Sequence, residues 1–222
     1  MGFLGILMLQ TRFPRPPGDV GHQGSWRMPV RFRTVLGASP QRVVRERSAG
    51  LLQPFVEAAR ALVDEGASAI TTSCGFLSLF QQELSMAVPV PVWSSSLLKL
   101  PELAVQGGCR AGVLSVDAGA LGADHLRSAG AAPDTPLQGL AAGCHLQRTL
   151  LQDLPTLDTD IARQDVLAAV QALRARHPQI NTLVLECTNL PPYARDIHLA
   201  TGWPVHDITT LAHERWKALE PP

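Results

Sequence analysis

The chain has 222 residues, of which 45% are hydrophobic, and its 19 basic residues balance 19 acidic ones. This length and hydrophobic content allow one large α/β domain or two small ones with a substantial core. A formal net charge of zero leaves no field that would attract nucleic acid or an anionic membrane. The composition therefore predicts a globular protein that binds neither.

The first ten residues are apolar, but no basic segment precedes them and no small-x-small cleavage site follows. We interpret them as a buried strand, and we expect a cytoplasmic protein. No apolar run approaches the length that spans a bilayer. The four cysteines lack the CxxC spacing of zinc clusters and redox dithiols, so free thiols and no metal are expected. They are Cys74, Cys109, Cys144 and Cys187.

Apolar runs of strand length alternate with helical patterns in the first half of the chain. Strands are predicted at 2–9, 30–36, 69–74 and 88–93, and helices at 49–65, 77–86 and from Ser94 onward. Residues 11–29 are rich in proline and glycine, which predicts a long loop at the carboxyl end of the first strand.

The second half repeats this alternation. Strands are predicted at 110–116, 137–141, 182–186 and 204–207, and helices at 121–129, 161–176, from 191 onward and 211–219. Alternation at this spacing indicates right-handed βαβ units and parallel sheets. We therefore predict an α/β fold of two pseudo-symmetric, flavodoxin-like lobes. The first lobe comprises residues 1–98 with 206–222, the second comprises 99–205, and the active site lies between them.

Two cysteines occupy equivalent positions in these halves. Cys74 and Cys187 each follow a strand and are 113 residues apart (187 minus 74), and Pro91-Val92 recurs as Pro204-Val205 at the same separation. This pattern predicts a duplicated unit with one thiol per copy. Ligands bind beyond the carboxyl ends of the strands in such sheets, which is where both thiols would lie.

Two facing thiols could invert a stereocentre by removing a proton from one face of a carbon and returning it to the other. Backbone N–H groups at a strand-to-helix junction are expected to lower the pKa of each thiol. Hydroxyl and amide groups of Ser94, Ser95, Thr188 and Asn189 are candidates for binding the substrate, and so are Arg12 and Arg15 in the long loop. Glu186 is expected to point to the face opposite Cys187, in a structural role.

The Cys187-Thr188 pair with Pro191 four residues after the cysteine, together with Cys74, resembles the aspartate/glutamate racemase superfamily over nearly the whole chain. This resemblance implies an enzyme of two α/β lobes that needs neither cofactor nor metal. It also implies that Cys74 and Cys187 are the acid/base pair and that Thr188 contacts the substrate. Members are commonly dimers, so a homodimer is one expectation, although the sequence leaves the oligomeric state open.

Some positions depart from the pattern of that superfamily. Gly75 and Phe76 follow the first cysteine where amino-acid racemases have Asn-Thr, and Asn189 stands near the position at which glutamate racemases have histidine. The segment Gln10-Thr11-Arg12 replaces Asp-Ser after the first strand. Thr11, Arg12, Gly75 and Phe76 are therefore further candidate substrate contacts, and these changes argue against free glutamate or aspartate as the substrate.

These observations favour a cofactor-independent racemase or epimerase that inverts a stereocentre next to a carboxylate or carbonyl in a small-molecule substrate. Neither lysine follows a strand, which argues against pyridoxal phosphate, and no P-loop or G-x-G-x-x-G motif occurs. Three alternatives stay open: a maleate-type isomerase with a covalent cysteine, a thiol hydrolase with His198 or His206 as base, and a carboxylate-binding protein without activity.

Overall fold

The computed structural model describes residues 2–219 and contains two parallel four-stranded sheets. The first sheet has the order β2-β1-β3-β4, with β1 Phe3–Leu9, β2 Val30–Val35, β3 Ala67–Thr72 and β4 Val92–Trp93. The second has the order β6-β5-β7-β8, with β5 Ala111–Ser115, β6 Leu137–Gly139, β7 Thr182–Leu185 and β8 Val205–His206. The predicted α/β fold with two similar lobes is confirmed.

The helices cover these sheets. They are α1 Leu52–Asp64, α2 Gln81–Ala87, α3 Leu100–Ala104, α4 Ala123–Ser128, α5 His145–Leu151, α6 Thr159–Arg176, α7 Ala194–Thr201 and α8 Ile208–Lys217. Across residues 2–219, none is long and apolar enough to cross a membrane.

Two features of this helical layer differ from the sequence predictions. Helix α5 was not predicted, because seven residues are too few to show a clear helical period. The helix predicted at 77–86 begins as a 3-10 helix over Gly75–Phe80, and α2 follows only from Gln81.

The sequence repeat is a repeat of strand pairing. Ile70 pairs with Val92 in the first sheet, and Leu183 pairs with Val205 in the second. The N–H of Ile70 donates to the Pro91 carbonyl at 2.9 Å, and the N–H of Leu183 donates to the Pro204 carbonyl at 3.0 Å. Equivalent strands in both sheets therefore have the same register, which places Cys74 and Cys187 at equivalent strand ends.

The last helix returns to the first sheet, as the sequence suggested. Ile208, Leu211 and Trp216 of α8 share a buried cluster with residues of β1, among them Leu4 and Ile6. The Asp207 carboxylate caps this helix by accepting from the N–H groups of residues 209 and 210 at 2.8 and 2.9 Å. The lobe boundaries proposed from the sequence stay predictions.

Candidate active site

The two thiol-bearing loops, one from each half of the chain, contact each other. Cys74 is the second residue after β3, and Cys187 is the second residue after β7. The Thr188 hydroxyl donates to the Ser73 carbonyl at 2.6 Å, and both residues are buried. One hydrogen bond therefore joins the residue before one thiol to the residue after the other, and both thiols line the same cavity.

Both polar and apolar residues line this cavity. The polar or small residues that line it are Ser73, Cys74, Gly75, Glu186, Cys187, Thr188 and Asn189. Apolar side chains come from both halves of the chain and include Leu9, Phe13, Val44, Phe76, Val116 and Leu150. Its volume is about 30 Å³, enough for one or two water molecules.

Burial governs the chemistry of both thiols. Burial raises the pKa of Cys74 to about 12 and that of Cys187 well above its ordinary value, and the charge of Glu186 raises both further. Backbone N–H groups of Phe76 and Asn189 lower the two pKa values but do not offset burial. The prediction of lowered thiol pKa values is wrong, because loss of solvent outweighs the effect of these N–H groups.

Glu186 lies in the site, contrary to the sequence expectation. The strand ends at Leu185, so the alternation of strand side chains no longer holds at Glu186, and this side chain lines the same cavity as Cys187. Its Oε2 accepts a hydrogen bond from the Ser115 hydroxyl at 2.6 Å. Burial raises the pKa of the Glu186 carboxyl to about 8. A proton can therefore occupy or leave this carboxyl near neutral pH.

Gly75 makes room for this carboxyl. A Cβ atom at position 75 would overlap both the backbone carbonyl oxygen and the side-chain Oε1 of Glu186. The departure from the Cys-Asn-Thr pattern of amino-acid racemases thus has a physical reason: here a glutamate of the other half occupies the space beside the first thiol.

A buried ion pair orients Asn189. Asp19 is almost fully buried, accepts from the Asn189 side-chain amide at 2.6 Å and is paired with Arg15 at 2.8 Å. Arg15 in turn donates to the Thr11 hydroxyl at 3.0 Å. The Cys187 thiol donates to the Asn189 side-chain oxygen at 3.7 Å. Sequence analysis missed Asp19, for which the four-residue spacing from Arg15 was the available signal.

The remaining candidates divide into two groups. Gly75, Phe76, Thr188 and Asn189 line the cavity with both thiols, whereas Thr11, Arg12, Ser94 and Ser95 are not among the lining residues.

The contacts of this second group are structural. The Arg12 side chain is 73% exposed and pairs with Asp153 at 3.2 Å. Ser94 donates to the Gln81 side chain at 2.6 Å, and the Ser95 hydroxyl accepts from the N–H of residue 97 at 3.2 Å, where it caps a short 3-10 helix.

The histidines proposed for a hydrolase lie elsewhere. Neither His198 nor His206 is among the residues that line the cavity. The His198 ring nitrogen Nδ1 is 2.8 Å from the Trp203 carbonyl oxygen. Neither histidine therefore lines the cavity with the thiols, as the base of a Cys/His hydrolase would have to.

Comparison with known proteins gives sequence relatives and structural neighbours. The chain is 32% identical over 218 residues to a dimethylsulfoniopropionate lyase of Durusdinium sp. clade D, which covers 94% of this chain and 72% of that protein. It is 26% identical over 235 residues to dimethylsulfoniopropionate lyase 7 of Emiliania huxleyi, covering 97% of this chain and 67% of the relative. No protein-family model matches.

The structural neighbours share the fold at low sequence identity. Unliganded arylmalonate decarboxylase has a TM-score of 0.60 at 15% identity, covering 99% of this chain and 92% of the other. Glutamate racemase from Aquifex pyrophilus has a TM-score of 0.57 at 17% identity, covering 98% and 84%. The fold is thus that of arylmalonate decarboxylase and glutamate racemase. The chain belongs to the same family as the dimethylsulfoniopropionate lyase of Durusdinium.

Proposed function

We propose that this chain is a lyase that acts on dimethylsulfoniopropionate, releasing dimethyl sulfide and leaving acrylate. The observation that carries the proposal is the 32% identity to a protein of that name, spread over 94% of the chain. The cavity supports it, because two thiols and a carboxyl are among the polar groups that line it. This proposal replaces inversion with elimination but keeps the first chemical step, removal of a proton next to a carboxylate.

The proposed step needs one base. A thiolate takes the proton from the carbon next to the substrate carboxylate, and the C–H electron pair forms the carbon–carbon double bond. The bond between the next carbon and sulfur breaks, and its electron pair leaves on sulfur as neutral dimethyl sulfide. The thiol then returns its proton to water, so that zwitterionic substrate yields acrylate, dimethyl sulfide and one proton.

We assign the base to Cys74. Burial raises the pKa of Cys74 to about 12, and the positive charge of Arg15 offsets a small part of that rise, whereas no cation among residues 2–219 has this effect on Cys187. Cys187 is also the more deeply buried of the two and its pKa is raised by the charge of Asp19. Cys74 is therefore the thiol that loses its proton more readily, and Cys187 stays protonated beside it.

The test is product formation from dimethylsulfoniopropionate. Dimethyl sulfide in the headspace and acrylate by NMR are expected in equal amounts from the native protein. Cys74→Ala is expected to abolish both products, and Cys109→Ala, outside the cavity, to leave the rate unchanged. Absence of both products from the native protein would refute the proposal, and full activity of Cys74→Ala would refute the assignment of the base.

Racemisation is the second candidate, because the two thiols come from equivalent ends of repeated strands. Both reactions begin with the same proton removal, but inversion also requires the second thiol to return a proton to the opposite face. Chiral 2-substituted carboxylates incubated in D2O distinguish them. Deuterium incorporation with loss of optical activity, abolished by either Cys74→Ala or Cys187→Ala, would favour racemisation.

A further inference from the structure

The Glu186 carboxyl is held on one side and unpaired on the other. The backbone N–H of Glu186 donates to the Leu114 carbonyl at 2.8 Å, which fixes this part of the backbone beside β5. Its Oε2 accepts from the Ser115 hydroxyl at 2.6 Å, whereas Oε1 is buried and has no hydrogen-bond partner among residues 2–219. Half of a fully buried carboxyl is therefore unsatisfied.

This arrangement destabilises the folded protein and raises the pKa of both thiols. Burying a carboxyl oxygen without a partner costs free energy of about 1–3 kcal/mol or more. The charge of Glu186 also raises the pKa of both Cys74 and Cys187, which disfavours the thiolate that the reaction needs. Neither stability nor base strength accounts for a glutamate here, which points to a ligand group that pairs with it.

The position of Glu186 restricts that ligand group. The carboxyl packs against Gly75 of the other half, so it lies beside the Cys74 loop as well as beside Cys187. A group bound between the thiols therefore contacts it. No N–H or O–H of the described residues reaches Oε1, and Leu9, Phe76 and Val116, which line the same cavity, are apolar. The unpaired carboxyl oxygen suits a cationic group, and the apolar lining residues suit one that carries methyl groups.

We propose that Glu186 is the residue that recognises the positively charged substituent of the substrate, a sulfonium under the proposed function on which this inference rests. The carboxylate attracts the cation through a medium of low dielectric constant, where the interaction is stronger than in water. The apolar lining residues contact the methyl groups. Glu186 would then select substrates with a cationic leaving group over carboxylates of the same shape whose substituent is uncharged.

Two unreactive ligands of equal shape test this recognition without turnover. These are 3-(trimethylammonio)propionate, which carries a permanent positive charge, and 4,4-dimethylpentanoate, which replaces the nitrogen with carbon. Binding is measured by calorimetry for the native protein and for Glu186→Gln. The native protein is expected to prefer the cation, and the variant to lose about tenfold or more of its affinity for the cation alone.

The outcomes separate this inference from the proposed function. An equal change in affinity for both ligands, or no change for either, would overturn the role of Glu186 even if the native protein forms dimethyl sulfide. Selective loss of cation binding without any lyase activity would support the recognition role and refute the reaction. Glu83→Gln, which removes a carboxyl at an exposed position of α2, is the matched control and is expected to retain the preference.

A second readout uses the native protein alone, in case Glu186→Gln does not fold. Affinity for 3-(trimethylammonio)propionate is expected to rise between about pH 7 and 9 as Glu186 loses its proton, while affinity for the anion 4,4-dimethylpentanoate does not rise. Other titratable or charged groups near the site include Cys74, Cys187, Tyr193, Asp19 and Arg15. Burial raises the pKa of Cys74 and Tyr193 to about 12 and that of Cys187 well above its ordinary value, so these three groups keep their protons over this range. Parallel pH profiles for the two ligands would contradict the inference.

Discussion

Thr188 and Ser73 connect the two thiol-bearing loops by one buried hydrogen bond of 2.6 Å, in which the Thr188 hydroxyl is the donor and the Ser73 carbonyl the acceptor. Thr188→Val keeps the shape of the side chain but leaves this carbonyl without its partner. The free energy of unfolding is expected to fall by about 1–3 kcal/mol, measured by urea denaturation. Lyase activity is expected to fall as well, because Cys74 and Cys187 are no longer held at a fixed separation.

Thr135→Val is the matched control for this change. The Thr135 hydroxyl also donates to a backbone carbonyl, that of Ala132 at 2.7 Å, but in an exposed turn where water can replace it. Its loss is expected to change stability by less than about 0.5 kcal/mol. Equal effects of the two substitutions on the free energy of unfolding would show that the hydrogen bond between the loops stabilises the protein no more than one in an exposed turn.

Gly75→Ala tests the packing of Glu186 against the first thiol loop. The added methyl group would overlap the Glu186 backbone carbonyl, which cannot move as a side chain can. We expect a loss of about 1–3 kcal/mol in stability and a lower rate, because the loop that carries Cys74 has to shift. Gly107→Ala is the control, since nothing lies within 4 Å of its new methyl group.

The fold was predictable because its signals are local and repeated. Apolar runs of strand length occur in both halves of the chain. Cys74 and Cys187 are separated by the same number of residues as the two Pro-Val pairs, which predicts two similar α/β halves. The pairing of Ile70 with Val92 and of Leu183 with Val205 shows that this separation reflects strand register.

The cavity was predictable only in part, because its composition depends on contacts between distant segments. Glu186 is predicted on the wrong face because the strand ends at Leu185, one residue before its predicted end at 186. Asp19 lies in a loop without periodicity, and its partner Asn189 is 170 residues away. The thiol pKa values depend on burial by both halves, which no local pattern shows.

The stability of the protein is expected to depend on pH through Glu186. An unfolded chain loses the Glu186 proton near the ordinary pKa of 4.5, whereas the folded protein keeps it up to about pH 8. Unfolding therefore releases a proton between these values, and stability falls as pH rises by about 1.4 kcal/mol per pH unit from this group. Other groups titrate in the same window, so the difference between native protein and Glu186→Gln is the quantity to measure.

That difference is expected to vanish toward pH 4 and to grow in favour of the variant toward pH 8. Urea denaturation at several pH values gives it directly. Glu83→Gln, at an exposed position of α2, is expected to follow the native protein throughout. A difference between native protein and Glu186→Gln that is independent of pH would contradict the raised pKa.

Alkylation by iodoacetamide tests the state of the thiols. Reaction requires the thiolate, and a pKa raised from 9.0 to about 12 lowers its fraction at neutral pH roughly a thousandfold for Cys74. Mass spectrometry over time is expected to show labelling of the half-buried Cys109 long before Cys74 or Cys187. In denaturant all of them are expected to react at similar rates, and fast native labelling of Cys74 would contradict the role given to burial.

The two arginines of the long loop are expected to behave differently. Arg15 is mostly buried and pairs with the buried Asp19, which in turn holds Asn189 beside Cys187. Arg15→Gln leaves the Asp19 charge unpaired, so a loss of about 3 kcal/mol in stability is expected. We also expect a fall in kcat/KM of about tenfold or more, because Asn189 and the charge near Cys74 are both affected.

Arg12→Gln is the comparison, because it removes an exposed ion pair with Asp153 that is worth less than about 1 kcal/mol. Its kcat and KM for dimethylsulfoniopropionate are expected to stay within about twofold of the native values, since the Arg12 side chain is 73% exposed and does not line the cavity. A rise in KM of tenfold or more for Arg12→Gln, with stability unchanged, would instead support the carboxylate-binding role that the sequence suggested. It would also mean that the loop closes over the bound substrate, bringing Arg12 from the surface to the thiols.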